Sequence, residues 1–505
     1  MYSVGAKMTR LTWTEICTLQ VKAGRLDESC LGVLSAFSGG RQRRYTNFTA
    51  LCEETARLTD VLPQRISRAL CVEVDADQAN VFVSRFISVT EILQGLPQLE
   101  AKILSIGFIQ RTAEIVDGDK PRTLRVRAVV DYFYSHAALL YHQNGMAGQS
   151  SPSVSFLAKN MVFKPVVNGI DHGTIAGQTN QGPVHVNVLR IRSGRLQVMD
   201  CRGKGSLAEI CRNHNAQAGV SGGFFLYSET DIESPSSRFD PVGLFVCDGT
   251  VVNPPVFRRS ALMVDEADRV SIAPMGLKGV RLVFSDHVIE IEAVNHPASM
   301  NQGAVAFNRA FGCQYPHHDA GVIAIVGRQV VSISDRRIPL AGFVVTLPTS
   351  APLTDLVDIV LTKPIRCGIA GGPALLVDGK VAIDPQAEEF KHSAPPITFS
   401  RDETFDQNLL PRMAAGLMPS GDLLFVAVDG RNFDLAPGMT LAQTARLCRA
   451  LGCSDAMNLD GGSSKRMVVA GSVVDLPSTD VVLNATSNGK VRKVQTAMLV
   501  HSSKN

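Results

Sequence analysis

A carboxylate followed by small residues is the segment of this chain best suited to chemistry. Residues 458–464 read NLDGGSS, and the apolar run 456–459 predicts a short strand that ends just before Asp460. Consecutive residues with little or no side chain let several backbone N–H groups point at an anion. The segment therefore predicts a turn that binds an anion beside the Asp460 carboxylate.

A strand–helix–strand unit is predicted to position this carboxylate. Residues 423–428 (LLFVAV) are typical of a buried strand. Thr440 and Gln443 have the spacing of a capping box, which predicts the start of a helix, and Gly452 predicts its end. The strand at 456–459 then completes the unit.

A second carboxylate, Asp429, follows the first strand of this unit, in the segment 428–431 (VDGR). If the two strands are neighbours, Asp429 and Asp460 lie at one edge of the sheet, where α/β sheets place ligands. Such a pair suits sugar chemistry, in which one group transfers a proton and the other stabilises positive charge at the anomeric carbon.

Residues 219–223 (GVSGG) satisfy the GxSxG pattern of a nucleophile elbow around Ser221. That elbow needs a helix after the serine, whereas residues 224–227 (FFLY) suggest a strand. The alternative interpretation is a Gly-rich turn in which backbone passes close to another segment.

Two weaker signals concern charged side chains. Residues 317–319 (HHD) suggest a metal ligand but lack partners at ligand spacing, which favours a polar loop. Arg412, after Pro411, is a candidate fixed charge for a phosphate, although most single Arg residues pair with an acid. The sequence predicts no metal and no cofactor.

The composition is that of an ordinary globular protein. The chain has 505 residues, 45% of them hydrophobic, and a formal net charge of +3 at pH 7. This apolar content excludes disorder as the main state, and the small charge predicts neither a nucleic-acid nor a membrane partner. No apolar run spans a membrane and no signal-peptide core fits the N-terminus. The 11 Cys include no CxxC pair, which favours reduced thiols and a cytoplasmic location.

Turn residues divide the chain and predict its fold. The small polar segment 144–155 predicts a boundary between an N-terminal module, residues 1–150, and a second domain, residues 165–502. Asp-Gly pairs at 248–249 and 378–379 lie between apolar runs and predict two hairpins. We therefore expect an α+β fold with a mixed, hairpin-rich β-sheet and flanking helices, plus an N-terminal α/β module of unknown fold.

Five segments together resemble the phosphodiester glycosidase family, in that family's order. They are 219–225 (GVSGGFF), 369–380 (IAGGPALLVDGK), 411–416 (PRMAAG) with 428–431, 458–464, and the tail 482–500. The resemblance covers residues 165–502. Two positions depart from the family pattern, because Ser221 stands where Asn is usual and Met413 where Thr is usual.

The resemblance implies a hydrolase that cleaves the bond between an anomeric carbon, such as that of N-acetylglucosamine, and a phosphodiester oxygen. Bacterial members are often linked to exopolysaccharide. The expected ligand is a sugar phosphate, a nucleotide sugar or a glycan. Asp460 is expected to act near the anomeric carbon, with Asp429 as acid/base partner or orienting water. The residues expected to bind substrate or phosphate are Arg412, Gly222, Gly223, Asn458, Gly461, Gly462, Ser463 and Arg431.

Two other function classes stay open on the sequence. One is a serine hydrolase with Ser221 as nucleophile, which a fluorophosphonate would label. The other is a non-catalytic carbohydrate-binding protein on the same fold, which would bind sugar phosphates without turnover. The sequence predicts no oligomeric state.

Overall fold

The computed structural model describes residues 72–75, 80–83, 152–179, 182–226, 239–349, 355–390, 409–430, 435–476 and 493–502. This part of the chain is mostly β-sheet. Its α-helices are short, namely α1 (Val154–Lys159), α2 (Leu207–Asn213) and α3 (Leu441–Ala450). None of the described helices is long and apolar enough to cross a membrane. Sheet therefore outweighs helix by more than the predicted α+β class implies.

Of residues 1–150, the structure describes one antiparallel pair of strands, β1 (Val72–Asp75) and β2 (Asn80–Val83). The remainder of this N-terminal module lies outside the described residues. Its predicted α/β character stays a prediction.

The largest sheet has eight strands and carries the segments singled out above. Its strands are β3 (Lys164–Val167), β4 (Ile170–Thr179), β5 (Gly182–Ile191), β21 (Ala374–Val377), β22 (Lys380–Val381), β23 (Arg412–Leu417), β24 (Leu423–Val428) and β25 (Asp455–Leu459). Their order across the sheet is β22-β21-β25-β23-β24-β5-β4-β3. Every neighbouring pair in this sheet is antiparallel.

The predicted strand–helix–strand unit is confirmed as β24, α3 and β25. The Thr440 side chain accepts the Gln443 N–H at 3.1 Å, and the Gln443 side chain accepts the Thr440 N–H at 2.8 Å. Gly452, with φ of +97°, follows the helix. The two strands are parallel but not neighbours, because β23 lies between them and pairs with both. Their carboxyl ends share one edge of the sheet, about 10 Å apart across two strand spacings.

A second, five-stranded sheet packs on one face of the first. Its strands are β6 (Arg195–Asp200), β7 (Ala218–Ser221), β26 (Met467–Val469), β27 (Ser472–Val473) and β28 (Thr496–His501), in the order β27-β26-β7-β28-β6. Met413 of β23 packs in the buried cluster between these sheets, whereas Ala414 packs on the opposite face with residues of α3. Alternation along each strand therefore decides which side chains meet the second sheet and which meet α3.

A third sheet contributes to the same core. It comprises β8 (Phe245–Cys247), β9 (Thr250–Asn253), β10 (Arg259–Val264), β11 (Val270–Met275) and β20 (Cys367–Ala370). A three-stranded sheet comprises β12 (Arg281–Phe284), β13 (Val288–Glu290) and β19 (Leu356–Val360). A further five-stranded sheet comprises β14 (Ala293–Val294), β15 (Val305–Phe307), β16 (Val322–Val326), β17 (Gln329–Val331) and β18 (Gly342–Thr346).

Both predicted Asp-Gly hairpins are confirmed. They join β8 to β9 and β21 to β22. Asp248 and Gly249 have φ of 44° and 77°, and Asp378 and Gly379 have φ of 48° and 73°, which matches the twist of a two-residue turn. The mixed pairing predicted for the sheet is corrected, because β14 and β15 are the only parallel neighbours in the described part.

Candidate active site at the ends of β24 and β25

Asp429 directly follows β24 and is held by three partners. The residue is 1% exposed. Its Oδ2 lies 2.5 Å from Nδ1 of His185. Its Oδ1 accepts hydrogen bonds from Nζ of Lys465 and, at 3.1 Å, from the backbone N–H of Leu476. Since both oxygens are engaged within the protein, this placement lets Asp429 act on a substrate only through its partners.

Lys465 joins Asp429 to a second buried carboxylate. Its side chain is fully buried, and Nζ also donates to Oδ2 of Asp475 at 2.7 Å. The same Oδ2 accepts a hydrogen bond from Nη1 of Arg466 at 2.8 Å, while Oδ1 accepts the N–H of Met467 at 2.7 Å. Asp429, Lys465, Arg466 and Asp475 form what we call the ion cluster, in which two carboxylates balance two cations.

The pKa of Asp429 is lowered from its ordinary value. Burial by itself raises the pKa, since a buried carboxylate loses its hydration. The positive charge of Lys465 and the hydrogen bonds from His185 and Lys465 together outweigh that loss. Asp429 is therefore ionised at neutral pH.

His185 and Asn187 of β5 extend the polar surface beside the ion cluster. They alternate with Val184 and Val186, which pack on the opposite face with residues of α3. Nδ2 of Asn187 donates to the backbone oxygen of Val474 at 3.1 Å. The His185 side chain is 26% exposed, whereas that of Asp429 is fully buried. His185 therefore connects the buried cluster to solvent.

The turn after β25 passes over the start of β23. Gly462 donates its N–H to the backbone oxygen of Pro411 at 2.9 Å. A Cβ on Gly461 would lie 2.6 Å from that oxygen. The glycine pair thus allows a close backbone crossing that carries the chain from half-exposed Asp460, at the end of β25, to Lys465 beside Asp429.

Gly461→Ala is expected to destabilise the protein by about 1–3 kcal/mol, because the new methyl group would overlap a backbone oxygen that cannot rotate away. Urea unfolding measures the effect. As a matched control, Gly312→Ala places its Cβ 3.9 Å from the backbone oxygen of Gln314, with no closer atom beyond its chain neighbours. That control should change stability by less than about 0.5 kcal/mol. Equal stability of the two variants would contradict this account of the crossing.

Gly222 and Gly223 lie next to Asp460, but their N–H groups serve the fold. They donate to the backbone oxygen and to Oγ1 of Thr496, each at 3.1 Å. The backbone oxygen of Gly222 accepts the N–H of Asp460 at 3.3 Å. A Cβ on Gly223 would lie 2.4 Å from the backbone oxygen of Ala370. These contacts explain the two glycines by close packing. The N–H groups of Gly222 and Gly223, which were predicted to hold a phosphate, already have acceptors within the protein.

Arg412 and Asn458 lie on the α3 face of the sheet, opposite Asp429. Both are buried, at 1% and 2% exposure. Nε of Arg412 donates to the backbone oxygen of Met439 at 3.0 Å, and Nδ2 of Asn458 donates to the backbone oxygen of Gly372 at 3.0 Å. Arg412 thereby ties β23 to the segment just before α3. The sheet itself separates these two predicted substrate contacts from Asp429.

Two further predicted contacts have different outcomes. Ser463 lies in the turn after Asp460 and is 7% exposed. Arg431 lies outside the described residues. The roles predicted for both in binding substrate stay predictions.

Ser221 is the last residue of β7 and not the apex of a strand-to-helix turn. It is 3% exposed, and its Oγ accepts the backbone N–H of Arg466 at 3.0 Å. The next residues, Gly222 to Leu226, contain no helix. The hydroxyl therefore helps to hold the ion cluster against β7, which differs from the geometry of a nucleophile elbow.

The polar-loop interpretation of residues 317–319 agrees with their exposure. The side chains of His317 and Asp319 are 72% and 94% exposed. Among the described residues, no group of three or more His, Cys, Asp or Glu side chains has the arrangement to hold a metal ion.

Sequence reasoning missed His185, Lys465, Arg466 and Asp475. One signal lay in the strand 184–188 (VHVNV), where polar residues alternate with Val and predict a polar face. Another was Lys465-Arg466, which directly follows the NLDGGSS segment. Their pairing with residues far along the chain has no local signature.

Residues 320–501 match the model of the phosphodiester glycosidase family. The resemblance inferred from the motifs is thus confirmed for those residues, which include every motif except 219–225. No curated protein matches the chain.

The solved structures that are similar to the chain include three from different organisms. One is a protein from Synechocystis, with 18% identity and a TM-score of 0.44, covering 68% of this chain and 64% of that one. A protein from Burkholderia pseudomallei has 22% identity and a TM-score of 0.42, with coverage of 65% and 75%. The catalytic domain of zebrafish N-acetylglucosamine-1-phosphodiester alpha-N-acetylglucosaminidase, auto-inhibited by its pro-peptide, has 16% identity and a TM-score of 0.38, with coverage of 70% and 87%.

Proposed function

Since residues 320–501 match the phosphodiester glycosidase family, a family of hydrolases, we propose that this protein hydrolyses a sugar-1-phosphodiester. The bond cleaved joins the anomeric carbon to a phosphodiester oxygen, with N-acetylglucosamine-1-phosphodiester as the first substrate to test. The observation that supports this proposal is the placement of Asp460, half-exposed at the sheet edge where Asp429 anchors a buried ion cluster.

The leaving group decides what the site must supply. A phosphate monoester leaves far more readily than a sugar hydroxyl, so the departing oxygen needs little help from a general acid. The main requirement is to stabilise positive charge at the anomeric carbon in the transition state. In this proposal the Asp460 carboxylate supplies the negative charge that stabilises the anomeric carbon. Asp429, through the side chains that it binds, assists the attacking water.

Most of the backbone N–H groups predicted to bind the phosphodiester charge already have acceptors within the protein. Gly222, Gly223 and Gly462 donate their N–H groups within the protein. Arg412 is buried on the α3 face. The predicted role of Arg412 in binding phosphate therefore stays a prediction. Substitution of Arg412 would also remove its hydrogen bond to the segment before α3, so it would affect packing as well.

The proposal is tested by measuring release of free sugar from a panel of nucleotide sugars and sugar-1-phosphodiesters. Turnover of a sugar-1-phosphodiester, with free sugar and a phosphate monoester as products, is the expected result. Binding without turnover would instead support a carbohydrate-binding protein. Turnover confined to uncharged glycosides would contradict the phosphodiester assignment.

Ser221→Ala is expected to retain sugar release, since Ser221 is buried and its Oγ accepts the backbone N–H of Arg466. The variant should lose roughly 1 kcal/mol of stability, because the N–H of Arg466 loses its acceptor. Assay of the variant and fluorophosphonate labelling of the wild type measure the two effects. Complete loss of activity together with labelling at Ser221 would establish the serine-hydrolase alternative.

A further inference from the structure

His185 is fixed at one ring nitrogen and open at the other. Nδ1 lies 2.5 Å from Oδ2 of Asp429, which is fully buried. Nε2 has no hydrogen-bond partner among the described residues and belongs to a side chain that is 26% exposed. A carboxylate that accepts the Nδ1 proton holds the ring in one orientation and leaves the Nε2 lone pair facing outward.

The charged groups of the ion cluster beside His185 are already paired with one another. Asp429 is already paired with Lys465, and Asp475 is shared by Lys465 and Arg466. The ion cluster is therefore balanced without a third cation. The other group facing His185 is His172 of β4, whose Nε2 lies 3.0 Å from Oδ1 of Asn187. Burial is the main cause that lowers the pKa of His172, and the charge of His185 acts in the same direction.

The sheet register places His185 on the same edge as Asp460. Asp429 donates its backbone N–H to the backbone oxygen of His185 at 3.0 Å, which extends the pairing of β24 with β5 by one position. The order along this edge is Asp460, the start of β23, Asp429 and His185. Three strand spacings, about 14 Å between Cα positions, separate Asp460 from His185.

We propose that His185 is the general base of the hydrolysis, with Asp429 as the positioning residue that orients it. This inference rests on the proposed function. Nε2 removes a proton from water as the water oxygen forms its bond to the anomeric carbon. The bond from that carbon to the phosphodiester oxygen breaks, and its electron pair leaves with the phosphate monoester. The imidazolium then returns its proton to solvent.

His185→Gln tests the role in turnover. A general base contributes roughly 10²–10⁴-fold to the rate, so kcat should fall by that range. The matched control is His287→Gln, since Nδ1 of His287 lies 2.6 Å from Oδ1 of Asp286 and its side chain is 25% exposed, but in the β12–β13 hairpin. That control should keep wild-type kcat. Wild-type turnover by His185→Gln would overturn the assignment.

The ring itself provides a readout that does not depend on activity. In protein labelled with ¹⁵N-histidine, the His185 signal is identified as the one that is absent from the spectrum of His185→Gln. In the wild type at pH 8, the ¹⁵N chemical shifts of that signal should be those of a neutral ring with its proton on Nδ1. Asp429→Asn should abolish that tautomer preference. An imidazolium at pH 8, or a proton on Nε2, would overturn the proposal. Wild-type protein with no turnover on the whole panel would refute the proposed function and the base together, whereas turnover that survives His185→Gln refutes the base alone.

Discussion

Lys465→Met is expected to destabilise the protein by about 3–5 kcal/mol, the largest loss of stability among the substitutions considered. Lys465 is fully buried and binds both Asp429 and Asp475. Its removal leaves two fully buried carboxylates with Arg466 as the remaining cation of the ion cluster. Methionine fills a similar volume, so the loss reports charge rather than a cavity.

Denaturant unfolding of the intact chain measures this effect. Arg269→Ala is the control for removal of one charge from an ion pair, because Arg269 pairs with Asp265 while its side chain is 81% exposed. Solvent screens that pair, and the midpoint of unfolding should not change measurably. A Lys465→Met midpoint equal to that of the wild type would show that the buried cluster does not hold the ends of β24 and β26 together.

Asp460→Asn is expected to lower turnover of a sugar-1-phosphodiester by roughly 10²–10³-fold, the effect of removing one group that stabilises transition-state charge. Asparagine keeps the size of the side chain but cannot offer a full negative charge to the anomeric carbon. Asp460 is half-exposed, so the unfolding midpoint should stay close to that of the wild type. The loss should appear in kcat, because the charge matters most in the transition state.

Asp455→Asn is the matched control for this assay. Asp455 begins the same strand, β25, at the end opposite Asp460, and its Oδ1 accepts the N–H of Asp378 at 3.2 Å. This variant should turn over substrate at the wild-type rate. A folded Asp460→Asn protein with wild-type turnover would remove Asp460 from the mechanism.

The strand–helix–strand unit could be predicted from the sequence because its signals are local. The apolar run of β24, the Thr440–Gln443 capping box and Gly452 each act within a few residues. The two Asp-Gly hairpins are local in the same way. The sharing of one edge by Asp429 and Asp460 was also predictable, since a helix crossover makes the flanking strands parallel. The presence of β23 between them was not, because β23 precedes both strands in the sequence and no local signal shows that it lies between them in the sheet.

In the Gly-rich segments, the same residue type is compatible with two different local structures. Glycine after Asp460 predicts either an anion-binding turn or a close backbone crossing. The position of Pro411 decides between them at Gly461, since a Cβ there would lie 2.6 Å from the Pro411 oxygen. A Cβ on Gly222 would lie 2.4 Å from Oγ1 of Thr496, and a Cβ on Gly223 would lie 2.4 Å from the backbone oxygen of Ala370, so these two glycines also serve close packing. These neighbours come from distant parts of the chain, so composition and spacing could not identify them.

The sequence by itself determined the carboxylate at the end of β25, the unit that carries it and the resemblance to phosphodiester glycosidases. Only the tertiary structure decided that Asp429 is buried beside Lys465 and that His185, 244 positions away in sequence, is its partner. The physical reason is the separation along the chain over which each kind of interaction acts. Caps, turns and apolar periodicity act over a few residues, whereas a buried charge must be balanced by whichever groups the sheet order brings within hydrogen-bond distance.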